Sequence, residues 1–199
     1  MNVSDVNIKV FRLINDIGKE YTILNTVMIF IAEYIAYFLV AGVLAIWFIR
    51  GNNNRMIVVC GVATLLLAEI CGKTAGKLHS NNQPFAELEN VNQLIEKAVD
   101  NSFPSDHTIL FFSFCFSFWL FNRGWGLLLI GLASLVGVSR IWVGVHYPGD
   151  ILVAAILSII SAIFVYKIVP KLHTTHKLLD FFRICDQMLL TIVSKPKGN

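Results

Sequence analysis

The sequence predicts an all-α protein, a polytopic membrane helix bundle with about five transmembrane spans plus interfacial helices at the N-terminus, in a long loop over 78–103 and at the C-terminus. Three observations predict it. Hydrophobic residues make up 56% of the 199 residues and charged ones 15%, with a mean hydropathy of +0.67. That balance suits several membrane spans and not a water-soluble domain. The apolar residues gather into five runs, each close to the length a helix needs to cross roughly 30 Å of hydrocarbon. Between the runs stand polar turns such as Gly51-Asn52-Asn53-Asn54 and Asn122-Arg123-Gly124.

Residues 5–20 mix Val6, Ile8, Val10, Phe11, Leu13 and Ile14 with Lys9, Arg12, Asp16 and Lys19, which predicts an amphipathic helix lying in the membrane interface. Its charges leave no continuous apolar core, so no cleavable signal peptide is expected there. The first span covers about 22–49 and carries Glu33, a carboxyl that must face protein at that depth. The second covers about 56–77, with Glu69, and with Lys73 and Lys77 one turn apart on one face. Residues 78–103 break the apolar pattern and are acidic through Glu87, Glu89, Glu96 and Asp100; Val91, Leu94 and Ile95 suggest a short surface helix inside a lid. The third span, about 105–121 and rich in phenylalanine, opens behind Pro104; the fourth runs about 125–142 and the fifth about 149–169. The tail, 170–199, is basic and partly amphipathic through Leu178, Leu179, Phe182, Ile184 and Leu189. One integral-membrane domain over 1–199 is expected.

The net charge of +3 is small and dispersed, which argues against a nucleic-acid partner. Cys60, Cys71, Cys115 and Cys185 form no C-x-x-C and no Cys/His cluster with zinc spacing, so they read as packing residues and no metal site is expected.

Chemistry concentrates in two places. Arg140 ends one apolar run, His146 follows, and Asp150 opens the next behind Pro148 and Gly149. Lipid-facing segments have no use for such groups. Phosphate chemistry does: arginine grips the anion, imidazole attacks or moves a proton, and a carboxylate orients the imidazole. The second cluster is Pro104-Ser105-Asp106-His107. Five spans bring both clusters and the 78–103 loop to one side of the bilayer.

Ser139-Arg140, His146 and Asp150 match the S-R-x(5)-H-x(3)-D motif of the type 2 phosphatidic acid phosphatase superfamily, and Pro104-Ser105-Asp106-His107 resembles its P-S-G-H motif. With Arg140-Ile141-Trp142-Val143-Gly144 and His146-Tyr147-Pro148, the chain looks most like the bacitracin-resistance branch, over roughly residues 20–170. That resemblance implies a bacterial plasma-membrane enzyme that dephosphorylates undecaprenyl pyrophosphate to undecaprenyl phosphate. The enzyme recycles the cell-wall carrier lipid for peptidoglycan synthesis and confers bacitracin resistance. It implies no cofactor and a polyprenyl pyrophosphate lipid as partner.

It also implies the roles. His146, oriented by Asp150, is the nucleophile that forms a phosphohistidine; His107 protonates the leaving group and then activates water. From the residues alone the two histidines could be exchanged. Arg140 clamps phosphate oxygens, Ser105 donates a hydroxyl, and the N–H groups at the start of the third span point at the same anion.

The superfamily's K-x(6)-R-P motif is altered. Lys77 stands one residue too close, and Gln83-Pro84 replaces arginine-proline. Gln83 can donate a neutral hydrogen bond to phosphate, and Lys77, with Lys73 as the fallback, is expected to supply the charge. Asp106 replaces glycine, and its side chain is expected to turn away from the phosphate or to pair with a lysine.

Charge bias sets the orientation. Arg50, Arg55, Arg123, Lys167, Lys171, Lys177, Arg183, Lys195 and Lys197 lie on the side away from the motifs, opposed by Asp180 and Asp186. That side is expected to be cytoplasmic, with the C-terminus, and the active site extracytoplasmic. Within the same chemistry, phosphatidic acid or phosphatidylglycerol phosphate is the alternative substrate. From other classes stand a small transporter, using Glu33, Glu69 and the histidines as a path, and a non-catalytic lipid-binding protein.

Overall fold

The computed structural model describes residues 3–49 and 51–193, which form ten α-helices and one 3-10 turn, with no strand among them. Arg50, Lys195, Lys197 and the Leu189 side chain lie outside the described residues. The amphipathic α1 (Val3–Asn15) and the one-turn α2 (Ile17–Glu20) lead into α3 (Thr22–Glu33) and α4 (Ile35–Phe48). These last two are the predicted first span, bent by 44° at Tyr34. Then come α5 (Asn52–Leu78), the one-turn α6 (Pro84–Glu87), α7 (Asp106–Phe121), α8 (Arg123–Trp142) and α9 (Pro148–Ile168). A 3-10 turn, Val169–Lys171, leads to α10 (His173–Val193).

Three stretches, Asn52–Leu78, Arg123–Trp142 and Pro148–Lys171, are long and apolar enough to cross a membrane, and the bent pair makes a fourth. α7 is apolar but shorter: its 16 residues reach about 24 Å. The chain that leads into it is buried within the protein, with Ser102 and Ser105 fully enclosed.

α7 is the central helix, packed against α5, α8 and α9. Phe111, Phe112 and Cys115 meet Ala133 and Val136 of α8, and Ile109 meets Ala68 and Ala154. A buried hydroxyl pair, Thr64 and Ser117 at 3.1 Å, satisfies itself between α5 and α7. Leu66, Ile70, Leu127, Leu152, Ile156 and Ile160 face outward, as lipid-facing helix surfaces require. A cavity of about 200 Å3 under α4 is lined by side chains such as Phe38, Phe111, Phe118 and Leu129 and offers no group for phosphate chemistry. Cys60 and Cys115 are free, buried and packed into apolar clusters.

Two expectations change. The amphipathic α1 is more than an interfacial float. Phe11 is fully buried against Tyr147, with ring centroids 5.6 Å apart, and Asn15 Nδ2 donates to the Trp142 carbonyl at 2.8 Å and the Asn92 carbonyl at 3.0 Å. Arg12 and Lys19 donate to loop carbonyls at Glu89 and Asn90. α1 therefore buttresses both segments that carry the site.

The second change is in the 78–103 loop. Its helix is α6, and the Val91–Ile95 stretch is irregular instead of helical. Ile95 is buried with Trp142, Val143 and Val145, and the Leu94 N–H donates to the Val143 carbonyl at 3.2 Å. Pairing with the 143–145 turn and with Asn15 satisfies backbone groups that a helix would have satisfied internally.

At the other end, α10 packs Leu179 onto Met56 and Cys60, and Asp186 binds the buried Arg55 guanidinium at 2.5 Å. Its outer face presents Leu178, Phe181, Ile184 and Met188, as an interfacial helix does.

Candidate active site

The site is built at one end of the bundle, from the end of α8, the start of α9, the start of α7 and the break between α3 and α4. α8 ends when Gly144 takes φ +87°, a conformation L side chains rarely adopt, with Val91 and Asn92 close enough to collide with any Cβ. The Val145 N–H then returns to the Arg140 carbonyl at 3.2 Å. This turn carries the chain from the arginine to the histidine in six residues. Pro148 starts α9, where a missing N–H costs nothing.

His146 is buried. Its Nδ1 lies 2.9 Å from the Ser102 carbonyl and 3.5 Å from Asp150 Oδ2. Both neighbours are acceptors, so Nδ1 must carry the proton and Nε2 keeps the lone pair. Asp150 is itself held. Its Oδ2 accepts from the Tyr147 N–H and the Ser102 hydroxyl, each at 2.9 Å, and Oδ1 accepts from Asn81 Nδ2 at 3.5 Å. One carboxylate thus caps α9 and orients the imidazole. Burial pushes the His146 imidazole below the ordinary histidine value, with Arg140 and Lys97 adding to the fall and Asp150 opposing it.

Ser105 is the N-cap of α7. Its Oγ accepts from the Thr108 N–H at 3.5 Å and the Thr108 hydroxyl at 3.1 Å, which leaves its own proton to donate. Asp106 is exposed, and His107 is half-buried.

His107 and Arg140 line one cavity of about 370 Å3, together with Glu33, Tyr34, Tyr37, Ile95, Glu96 and Lys97. Arg140 is 4% exposed. Its Nη1 donates at 3.0 Å to the Ala32 carbonyl at the helix break, and its buried Nε meets no acceptor among the described residues. A buried guanidinium with donors to spare is prepared for an anion.

His107 and Arg140 line the cavity, whereas Ser105, His146 and Asp150 are joined to one another, the Ser105 N–H reaching the Asp150 carbonyl at 3.4 Å and His146 Nδ1 lying 3.5 Å from Asp150 Oδ2, and are not among its lining residues. The fold leaves Gln83 and Lys77 apart. Gln83 is fully buried, and its amide is engaged with Ala98 and Asp100; Lys77 and Lys73 are exposed on α5, and none of the three is among the described residues that line the cavity. The expected phosphate contacts from Lys77 and Gln83 therefore have no support in this geometry. Five residues enter that sequence reasoning had not placed at the site: Asn81, Ser102, Tyr34, Tyr37 and Lys97. Ser102 stands three residues before the second cluster, yet a serine there carries no signal of its own. Glu33, a carboxyl in an apolar run, was the one legible sign that the first span joins the site.

With this geometry in view, the comparisons with known proteins are consistent with one another. The family model of the PAP2 superfamily matches residues 58–174. The bacitracin transport permease protein BcrC of Bacillus licheniformis is 50% identical over 199 residues, covering 100% of this chain and 97% of that protein. The undecaprenyl-diphosphatase BcrC of Bacillus subtilis is 31% identical over 195 residues, covering 96% of this chain and 97% of that one. Among solved structures, Aquifex aeolicus LpxE aligns with a TM-score of 0.71 at 26% identity, over 84% of this chain and 99% of that chain.

Proposed function

The chain belongs to the PAP2 superfamily, and on that premise we propose that it is a lipid pyrophosphate phosphatase converting undecaprenyl pyrophosphate to undecaprenyl phosphate through a phosphohistidine. The observation that carries this reading is the fixed His146 tautomer. With Nδ1 held by the Ser102 carbonyl and Asp150, Nε2 is the nitrogen left to attack.

In the first step Nε2 attacks the terminal phosphorus. The bond from that phosphorus to the bridging oxygen breaks, the electron pair stays on the oxygen, and His107 gives it a proton. Arg140, the Ser105 hydroxyl and the N–H groups opening α7 hold the charge that develops on the phosphoryl oxygens. In the second step His107 takes a proton from water, the water oxygen attacks phosphorus, and the P–N bond breaks to release inorganic phosphate. Asp150 and the Ser102 carbonyl stabilise the imidazolium that exists between the steps. Every step uses the chain's own side chains, without a metal ion.

The test is phosphate release from undecaprenyl pyrophosphate by purified protein in liposomes, with chelator present and His146→Ala alongside. Release that survives chelator and disappears in the variant is expected. Release unchanged by the variant would sink the mechanism. Phosphatidic acid and phosphatidylglycerol phosphate as competitors decide the head group; the preferred substrate displaces the others. The name of the Bacillus licheniformis relative favours a second reading, transport of bacitracin. Bacitracin flux across protein-loaded liposomes, unaffected by His146→Ala, would establish that reading instead.

The proposed orientation puts the site outside the cytoplasm and the C-terminus inside, where removal of pyrophosphate lowers the amount of lipid that bacitracin can bind. Of the described residues, Arg55, Arg123, Lys167, Lys171, Lys177 and Arg183 support it, since they gather at the end away from His146. Arg55 counts least, being paired with Asp186. A reporter active only outside the cytoplasm, fused after Asn199, is expected to be silent; activity would reverse the orientation.

A further inference from the structure

The superfamily pattern calls for cations at the start of the long loop. In this chain those positions hold Lys77 and Gln83, and neither reaches the cavity. Gln83 has another task. Its Nε2 donates to the Ala98 carbonyl at 3.4 Å and to the Asp100 carboxylate, and its Oε1 accepts from the Asp100 N–H at 3.0 Å. Both ends of the amide are engaged with residues 98–100, so Gln83 fixes that segment against the start of the loop.

The same segment carries Lys97, which lines the cavity beside His107 and Arg140. Its side chain is 29% exposed, and its Nζ lies 3.8 Å from Asp100 Oδ1, an acid that is itself 60% exposed. A long, solvent-exposed pair of this kind holds weakly and gives way readily to a stronger anion. Charge on the cavity wall points the same way. Without Lys97 the wall would set Glu33 and Glu96 against Arg140 and the proton-donating His107, with no positive charge left over. A pyrophosphate head group needs a further cation there.

We propose that Lys97 is the second phosphate-binding cation of this site, taking the place the superfamily gives to its loop arginine, and that Gln83 with Asp100 is the brace that positions it. In the free protein Lys97 rests against Asp100. When the head group enters, the ammonium moves to the phosphate oxygens that Arg140 leaves uncovered. Lys97 holds charge present in substrate and transition state alike, so its loss acts on binding more than on the chemical step.

This inference rests on the reading of the site as one for a lipid phosphate, and the experiment separates the two. Purified protein is assayed with undecaprenyl pyrophosphate, and the affinity for inorganic phosphate is measured separately by calorimetry. For Lys97→Met, KM is expected to rise about tenfold or more with kcat within about threefold, and phosphate affinity to fall in parallel. Lys97→Arg is expected to restore most of both. The same change at Lys77 or Lys73 is expected to move KM by less than about twofold. Gln83→Leu is expected to reproduce the KM rise, with the Gln83→Leu, Lys97→Met double variant no worse than Lys97→Met alone.

Unchanged KM and phosphate affinity in Lys97→Met overturn the proposal, as does a Lys97→Arg variant no better than Lys97→Met, or a KM effect that appears at Lys77. Additive losses in the double variant overturn the brace. If the unaltered protein fails to hydrolyse undecaprenyl pyrophosphate, the functional reading falls, and the phosphate affinities still decide on Lys97.

Discussion

Replacing His146 by glutamine is expected to lower kcat by roughly ten-thousand-fold or more, about 5 kcal/mol of barrier, because it removes the nucleophile of the proposed mechanism. Glutamine can still donate to the Ser102 carbonyl, so the variant should fold, with a melting temperature in detergent close to that of the unaltered protein. Alkaline quenching during turnover of radiolabelled substrate should trap label on the native chain and none on the variant. Label trapped on the variant would move the nucleophile elsewhere, with His107 the first candidate.

In the proposed mechanism the same residue is expected to set the acid side of the pH profile. Attack needs a neutral imidazole, and burial depresses His146 below the ordinary value of 6.5. kcat/KM is therefore expected to hold as pH falls through 6.5 and to decline only below it. Folding is linked to the same proton: the unfolded chain takes it up near 6.5 and the folded chain only at lower pH. The stability held above that pH is lost as pH falls toward the folded value, and His146→Gln should flatten the loss. An acid limb at or above 6.5 would contradict the buried, neutral histidine.

Arg140→Lys is expected to reduce kcat/KM about a hundred- to a thousand-fold, the size of effect seen when a preorganised donor to a developing charge is lost. Charge is conserved in this change, so the loss measures geometry. The guanidinium lies 96% out of solvent, reaches the Ala32 carbonyl at 3.0 Å and still has donors for two phosphate oxygens. A lysine is a point charge without that fork, and it leaves either the carbonyl or the phosphate unmatched. A variant that keeps more than about a tenth of the activity would show that charge alone suffices at this position, against the preorganised geometry.

Much of this protein was legible without coordinates. Apolar runs fix membrane helices because the bilayer demands that length and that composition whatever the neighbours are. The cost of Arg140, His146 and Asp150 at the ends of such runs marks them as candidates for function from local context alone. The order of spans then puts Ser105, His107 and Arg140 at one end.

What the tertiary structure decided are matters of long-range contact. Spacing alone could not show that Arg140 would donate to Ala32, 108 residues away, or that Ser102 would stand nearer to His146 than Asp150 does. The same holds for Lys77 and Lys97. Both are lysines beside apolar residues, and sequence resemblance favoured the first. Only the packed loop, held by Gln83 at one end and by Asn15 of α1 in its middle, carries the second into the cavity. Hydrophobic period and motif report what each segment must bury. Which side chain reaches a shared cavity depends on how distant segments close on one another, and that is settled by contacts no local pattern encodes.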